Sequence, residues 1–223
     1  MKVVAVIPAY NEQARIADAI RDAARFVQGV VVVDDCSSDK TGDVARAQGA
    51  HVVRHIINRG QGAALQTASD FALDVLGADV IVHFDADGQM MGEEIPMMIE
   101  PIQNGEADVV LGSRFLGKKA NMPFSRYVSL RAALLFTMLL SGIRVTDTHN
   151  GFRALSRRAA KEMRITLDRM AHASQILDLI KTKRMRFVER PVTIRYTADT
   201  LAKGPSSLRM FEIVKDLLKE KLL

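Results

Sequence analysis

The chain has 223 residues, 48% of them hydrophobic and 26% charged, a balance that suits one α/β domain with a sizeable core. Its single cysteine, Cys36, excludes an intramolecular disulfide, and its longest uncharged apolar run, 132–140, falls short of the ~20 residues of a membrane-spanning helix. The net charge of +5 conceals a split: residues 1–113 carry 8 Lys+Arg against 17 Asp+Glu, residues 114–223 carry 23 against 9, and no acidic residue lies between Arg114 and Arg144.

In chain order, Lys2–Ile7 reads as a buried β-branched strand ended by proline, and Asn11–Ala24 as a helix with Ile16, Ala19, Ile20 and Ala23 on one face. Val30–Val33, His51–His55 and Val80–Phe84 follow as strands, separated by helices over Thr41–Gln48 and Gly62–Leu76. A helix over Ile95–Gln103 and a strand over Asp108–Gly112 continue the alternation. Beyond them come a loop over 115–126, apolar and short helices over Ser129–Ile143 and Arg157–Met163, a strand over Phe187–Tyr196, and an amphipathic helix over Ser207–Leu222. Strands alternating with helices predict a mostly parallel sheet flanked by helices on both faces, with ligands at the carboxyl ends of its strands.

Polar clusters follow the first four strands, at Pro8–Glu12, Asp34–Asp39, Asn58–Gly62 and Asp85–Gln89, so all four should meet on one sheet edge. Asp85, Asp87 and Gln89 stand at i, i+2 and i+4 after a hydrophobic strand, where their oxygens can converge on Mg2+ or Mn2+ shared with substrate phosphates. The competing reading is an Asp-Gly turn, and the three companion clusters favour the metal. Asp35 is assigned to ribose or base recognition, whereas Ser38 or Asp39 can simply cap a helix. The Asn58–Ala63 segment is either a tight turn or a phosphate-binding helix start, and with Leu65 at the third glycine position it is no dinucleotide fingerprint.

Gly112-Ser113-Arg114 opens a basic zone with Lys118, Lys119, Arg126 and Arg131, suited to a phosphate. Nucleic acid fits poorly, since no stacking aromatics are interleaved there. The apolar Ser129–Ile143 helix with its basic start suits either a membrane interface or the core. The five histidines lack ligand spacing, and Cys36 has no nucleophile-activating partner in the sequence.

These motifs together resemble family 2 glycosyltransferases of the GT-A fold, in particular the polyprenyl-phosphate (dolichyl-phosphate) mannosyltransferase branch. Pro8-Ala9-Tyr10-Asn11-Glu12 is similar to the family's donor-site opening, Val31–Thr41 to its base- and ribose-binding segment, and Asp85-Ala86-Asp87-Gly88-Gln89 to its metal motif. Gly112-Ser113-Arg114, the stretch Thr146–Arg153 and the stretch Pro191–Tyr196 complete the pattern. The chain departs from it at Gln61, where many relatives carry lysine, at Met90-Met91-Gly92 after the metal motif, and at Gln175, where glutamate is expected.

The resemblance implies a catalytic domain over 1–206, with a nucleotide and metal half (1–113) and an acceptor half (114–206), followed by a C-terminal amphipathic helix over 207–223. It implies a divalent cofactor (Mn2+ or Mg2+) on Asp85, Asp87 and Gln89, and a nucleotide-sugar donor against Pro8, Ala9, Tyr10, Glu12, Asp35, Asp85, Ala86 and Asp87. The expected reaction is inverting transfer of mannose from GDP-mannose to a polyprenyl phosphate held by Arg114, Arg126 and Arg131, with Asp85, Asp87 and Arg114 as catalytic residues. A UDP-sugar donor (glucose or N-acetylglucosamine), a saccharide hydroxyl acceptor with Asp147 as base, and a non-catalytic nucleotide-binding or membrane-interaction module are the alternatives. The expected location is cytoplasmic and peripheral on the membrane, because no secretory signal or spanning segment is visible.

Overall fold

The structure is a computed structural model that describes residues 1–116, 143–148, 150–167 and 172–195. Lys118, Lys119, Arg126, Arg131, His149, the expected closing helix and nearly all of the expected 129–143 helix lie outside the described residues. The described strands are β1 (Val3–Ala9), β2 (Gly29–Asp34), β3 (His51–Arg54), β4 (Val80–His83), β5 (Val109–Ser113), β6 (Arg153–Ser156) and β7 (Phe187–Pro191). The described helices are α1 (Ile16–Ala24), α2 (Thr41–Ala47), α3 (Gln61–Asp74), α4 (Ile95–Gln103), α5 (Arg157–Glu162) and α6 (His172–Thr182).

The strands form one sheet in the order β3-β2-β1-β4-β6-β5-β7, in which β6 alone runs antiparallel to its neighbours β4 and β5. Val, Ile and Ala alternate between the two faces of β1, so both faces bury apolar side chains. Ile16 and Ile20 of α1 and Ile95 and Met98 of α4 pack on the face of Ala5 and Ile7. Ala64, Leu65 and Ala68 of α3, Ala159 and Ala160 of α5, and Ile176 and Ile180 of α6 cover the face of Val4 and Val6. Sheets covered on both sides in this way use near-continuous apolar strands, as β1 and β2 do.

Three details correct the expectations. First, β1 runs through Pro8 to Ala9 instead of ending at the proline, pairing Pro8 with Val33. The main chain of Val6 faces β4, accepting from Phe84 N, and Pro8 faces the same side two residues later, where the β4 ladder has already ended at Val6–His83. The missing N–H therefore breaks no pairing. Second, α1 begins at Ile16, since Asn11 takes a left-handed backbone (φ 55°) and is bonded to the neighbouring loop. Third, β6 and α6 were absent from the predicted elements. Four residues with a buried arginine at their head, Arg153–Ser156, carry no strand periodicity, and that reversed strand brings the Asn150–Phe152 turn to the edge where β4 and β5 end.

Among the described residues, no helix is long and apolar enough to cross a membrane.

Candidate active site

The polar clusters after the parallel strands do meet on one edge, and the first two are laced together. Asn11 N donates to Ser37 Oγ (3.0 Å), Ser38 N to Asn11 Oδ1 (2.9 Å), Glu12 N to Thr41 Oγ1 (2.8 Å) and Lys40 N to Gln13 Oε1 (3.0 Å). Asp39 accepts from Thr41 N (2.9 Å) and from the Thr41 hydroxyl, so it organises the start of α2. Glu12 is paired with Arg15, whose Nε lies 2.7 Å away. Pro8 and Ala9 are buried, whereas Tyr10 is 50% exposed at the rim.

Asp35 is buried and braces the third cluster. Its Oδ1 accepts from Arg59 N (2.9 Å) and lies 2.7 Å from His55 Nδ1, and its Oδ2 accepts from Gly60 N (2.6 Å). Asn58 Nδ2 adds a bond to the Asp35 carbonyl (3.2 Å), and Gly60 holds φ at 88°. Two amides of the 58–60 loop therefore bond to Asp35, which is the arrangement of a tight turn leading into α3.

The fourth cluster holds the acidic pair. β4 delivers Asp85 to the edge, and Asp87 and Gln89 follow in a turn in which Gln89 N donates to Asp87 Oδ1 (3.0 Å). Gln61, the first residue of α3, donates from Nε2 to Asp85 Oδ1 (3.1 Å). On the other side Gly151 comes so close that a Cβ there would sit 2.5 Å from Asp85 Oδ2. Arg195 N donates to Gln89 O (2.9 Å), fastening the segment after β7 to the same turn. Burial, and next the neighbouring Asp87 carboxylate, push the Asp85 carboxyl well above the usual carboxylate range, against the pull of Arg153, Arg114 and the Gln61 hydrogen bond.

That raised proton affinity comes first from burial and then from the adjoining Asp87 charge, and a cation at the turn would offset both by favouring the ionised form. No group of three or more His, Cys, Asp and Glu side chains is placed to hold a metal among the described residues. Asp85 and Asp87 place two carboxylates at this turn, so an ion held there would complete its shell with substrate phosphate oxygens and water, the habit of Mg2+ and its relatives.

The fifth strand brings the cationic side. Arg114 N (3.1 Å) and Nε (2.6 Å) both donate to Asp147 Oδ2, an ion pair whose side chains are 11% and 2% exposed. Beneath lies Arg153, buried, with NH1 lacking a hydrogen-bond partner among the described residues. Its charge is felt by both Asp85 and Asp147, and its own pKa is lowered to about 10, by burial first. Sequence reasoning placed none of Arg153, Gln61 and Gly151 beside Asp85, having Gln61 only as a departure from the family pattern and the other two only within the stretch Thr146–Arg153. A signal existed for the first, a lone arginine in the otherwise uncharged run Gly151–Leu155, where an unpaired charge would be expensive. Gln175, noted only as a departure from the expected glutamate, accepts from Thr166 N and Leu167 N (3.0 Å each) and donates to Thr166 Oγ1 (2.6 Å), so it clamps the loop before α6.

A mostly parallel sheet that carries an acidic pair at a strand end, with a buried arginine of the second half within electrostatic reach, is an open α/β architecture with a ligand-binding edge. The glycosyl transferase family 2 profile matches residues 4–164, and the chain belongs to that family. It is 30% identical over 97% of its length to the UDP-N-acetylglucosamine–dolichyl-phosphate N-acetylglucosaminyltransferase of Methanococcus voltae, covering 95% of that protein. With the undecaprenyl-phosphate mannosyltransferase of Micrococcus luteus it shares 34% identity over 86% of this chain and 83% of the other. Among solved structures it resembles glucosyl-3-phosphoglycerate synthase from Mycobacterium tuberculosis, in complex with Mn2+, UDP and phosphoglyceric acid. That match has a TM-score of 0.65 and 21% identity, over 90% of this chain and 73% of the other, and it shows the GT-A fold. The protein is a glycosyltransferase of dolichyl-phosphate mannosyltransferase-like type.

Proposed function

We propose that this enzyme transfers a sugar, best read as mannose from GDP-mannose, to a polyprenyl phosphate with inversion at the anomeric carbon. The observation that carries this reading is the Arg114–Asp147 pair beside the acidic turn. Asp147, the carboxylate considered as base for a hydroxyl acceptor, is buried and engaged by Arg114 at 2.6 Å. A phosphate monoester, with a second pKa of about 6, is already mostly anionic at neutral pH and requires a cation instead of a base. The names of the relatives, which specify dolichyl and undecaprenyl phosphate, point the same way.

In this reading Asp85, Asp87 and Gln89 would hold a divalent ion, Mn2+ or Mg2+, which would supply positive charge to the leaving diphosphate. Tyr10 lies at the rim against the base, Pro8, Ala9 and Ala86 line the floor, Glu12 steadies the first loop through Arg15, and Asp35 contributes by shaping the Asn58–Gly60 turn. Arg114, with Arg126 and Arg131 from the basic stretch, receives the acceptor phosphate. Its oxygen attacks the anomeric carbon opposite the diphosphate, forming one C–O bond as the other breaks. The 1–206 catalytic unit works from the cytoplasmic face, attached peripherally to the membrane.

A UDP-sugar donor is the second reading, favoured by the UDP in the names of both the Methanococcus voltae relative and the solved structure. One assay separates them: GDP-mannose, UDP-glucose and UDP-N-acetylglucosamine are each offered with Mn2+ and polyprenyl phosphate or a soluble saccharide. Lipid-phosphate product from GDP-mannose is expected, falling at least a hundredfold in folded Asp87→Ala. Transfer only to saccharide would overturn the acceptor assignment, and turnover with UDP-sugars alone would overturn the donor.

A further inference from the structure

Asp147 sits on a segment that is itself locked to the end of β5. Ser113 Oγ lies 2.6 Å from Thr146 Oγ1, and Thr146 donates both its N–H and its hydroxyl to Glu189 Oε1 (2.8 Å each). Val192 N donates to Ser113 O (3.0 Å), tying β7 into the same junction. From this fixed platform one Asp147 oxygen, Oδ2, takes both the main-chain N–H and the Nε–H of Arg114. Arg153 lies below, within electrostatic reach of both Asp147 and Asp85. The charges therefore alternate in sign from Arg114 through Asp147 and Arg153 to Asp85, running from the cationic side of the site to the acidic turn.

We propose that Asp147 is a positioning residue that sets the direction of the Arg114 guanidinium for the acceptor phosphate, and that it takes no proton in the reaction. This inference rests on the phosphate-acceptor reading above. The physical grounds are specific to arginine. A grip on Nε fixes the guanidinium plane, so an approaching phosphate meets the terminal nitrogens at a defined angle, and bidentate recognition depends on that angle. Lysine has no Nε to grip. An exposed arginine would sample many rotamers and lose entropy on binding, whereas this one is ordered in advance by a carboxylate that is only 2% exposed.

The test measures acceptor KM, kcat and the donor-plus-Mn2+ thermal shift for wild type, Asp147→Asn, Asp147→Glu, Arg114→Lys and the Arg114→Lys/Asp147→Asn double variant. Asp147→Asn should raise acceptor KM at least tenfold and leave the donor shift intact. Asp147→Glu should recover part of the loss, and the double variant should be no worse than Arg114→Lys alone, because the lysine has already lost the grip. Additive losses in the double variant would overturn the positioning role. So would a fall in kcat at unchanged acceptor KM with loss of the acidic limb of the pH profile, which identifies a base. If Asp147→Asn does not fold, Asp147→Glu decides alone: a raised acceptor KM with an unchanged donor shift supports the proposal, and no change in KM refutes it. A wild type that uses no phosphate acceptor sinks the acceptor reading itself, whereas an active wild type with additive variants sinks only the positioning role.

Discussion

Asp85 is confined by Gln61 on one oxygen, by the Gly151 backbone near the other, and by Asp87 two residues on. A short side chain held in this way has little room to yield, so Gly151→Ala should displace its carboxylate without unfolding the chain. The expected outcome is an apparent Mn2+ affinity weakened about tenfold, or about 1.4 kcal/mol, read from donor-dependent thermal shifts across a Mn2+ titration. An unchanged Mn2+ midpoint would show that Asp85 tolerates the methyl group. His83, the last residue of β4, gives a second prediction. Both ring nitrogens are buried without a hydrogen-bond partner among the described residues. Burial, then the charges of Arg153 and His172, push its pKa down to about 3. A base held neutral in the folded state is protonated first in the unfolded chain, whose histidine pKa is about 6.5. Its contribution is fully present above that value and is lost as pH falls from there towards 3, at up to ~1.4 kcal/mol per pH unit. Urea midpoints at pH 7 and pH 5 should thus differ less in His83→Leu than in the wild type.

At the scale of elements, the far end of the sheet is fastened by Asp108, just before β5. Its carboxylate accepts from Arg186 N (3.0 Å) and Nε (3.2 Å) at the approach to β7, and pairs with Arg158 NH2 of α5 (2.7 Å). Burial alone would raise its pKa, but the hydrogen bonds from Arg186 and Arg158 bring it down to about 2. Because the two arginine side chains are 60% and 58% exposed, most of the stabilisation comes from the partly buried main-chain bond. Asp108→Ala should cost about 1–3 kcal/mol of unfolding free energy and leave both substrate KM values unchanged; a kinetic effect would show that this junction reaches the active edge. The same scale explains what the sequence reveals. β1, β2, β4 and β5 are legible because β-branched apolar runs end in polar clusters, and Asp85 and Asp87 are legible because they follow such a run. Arg153–Ser156 is too short and too mixed to announce a strand, yet its placement between β4 and β5 brings Gly151 and Arg153 beside Asp85. Gln61 and Asp85 are 24 residues apart and meet only because α3 starts where β4 ends. Local pattern encodes the elements, whereas these pairings exist only in the assembled sheet.

For the whole molecule, the charge split of the chain becomes a division of labour across the sheet. The acidic half contributes β1 to β4 and the acidic turn, and the basic half contributes β6, β7 and Arg114 at the end of β5. Under the proposed function the donor enters with its cation and is largely charge-balanced, whereas the acceptor phosphate meets residues 114–223, where Lys and Arg outnumber Asp and Glu by 23 to 9. Long-range attraction of this kind is screened over a Debye length of about 10 Å at 0.1 M salt and about 3 Å at 1 M, while the close buried contacts at Asp85 are screened far less. Raising salt from about 50 to 500 mM, across which that length falls severalfold, should therefore raise KM for a short-chain polyprenyl phosphate several-fold. The thermal shift produced by donor with Mn2+ should change little over the same range. Detergent and chain length are held constant, so that partitioning of the lipid does not masquerade as binding. Equal salt sensitivity of donor and acceptor would place the acceptor phosphate outside the basic half, whereas a salt-insensitive acceptor KM would assign its recognition to the lipid chain.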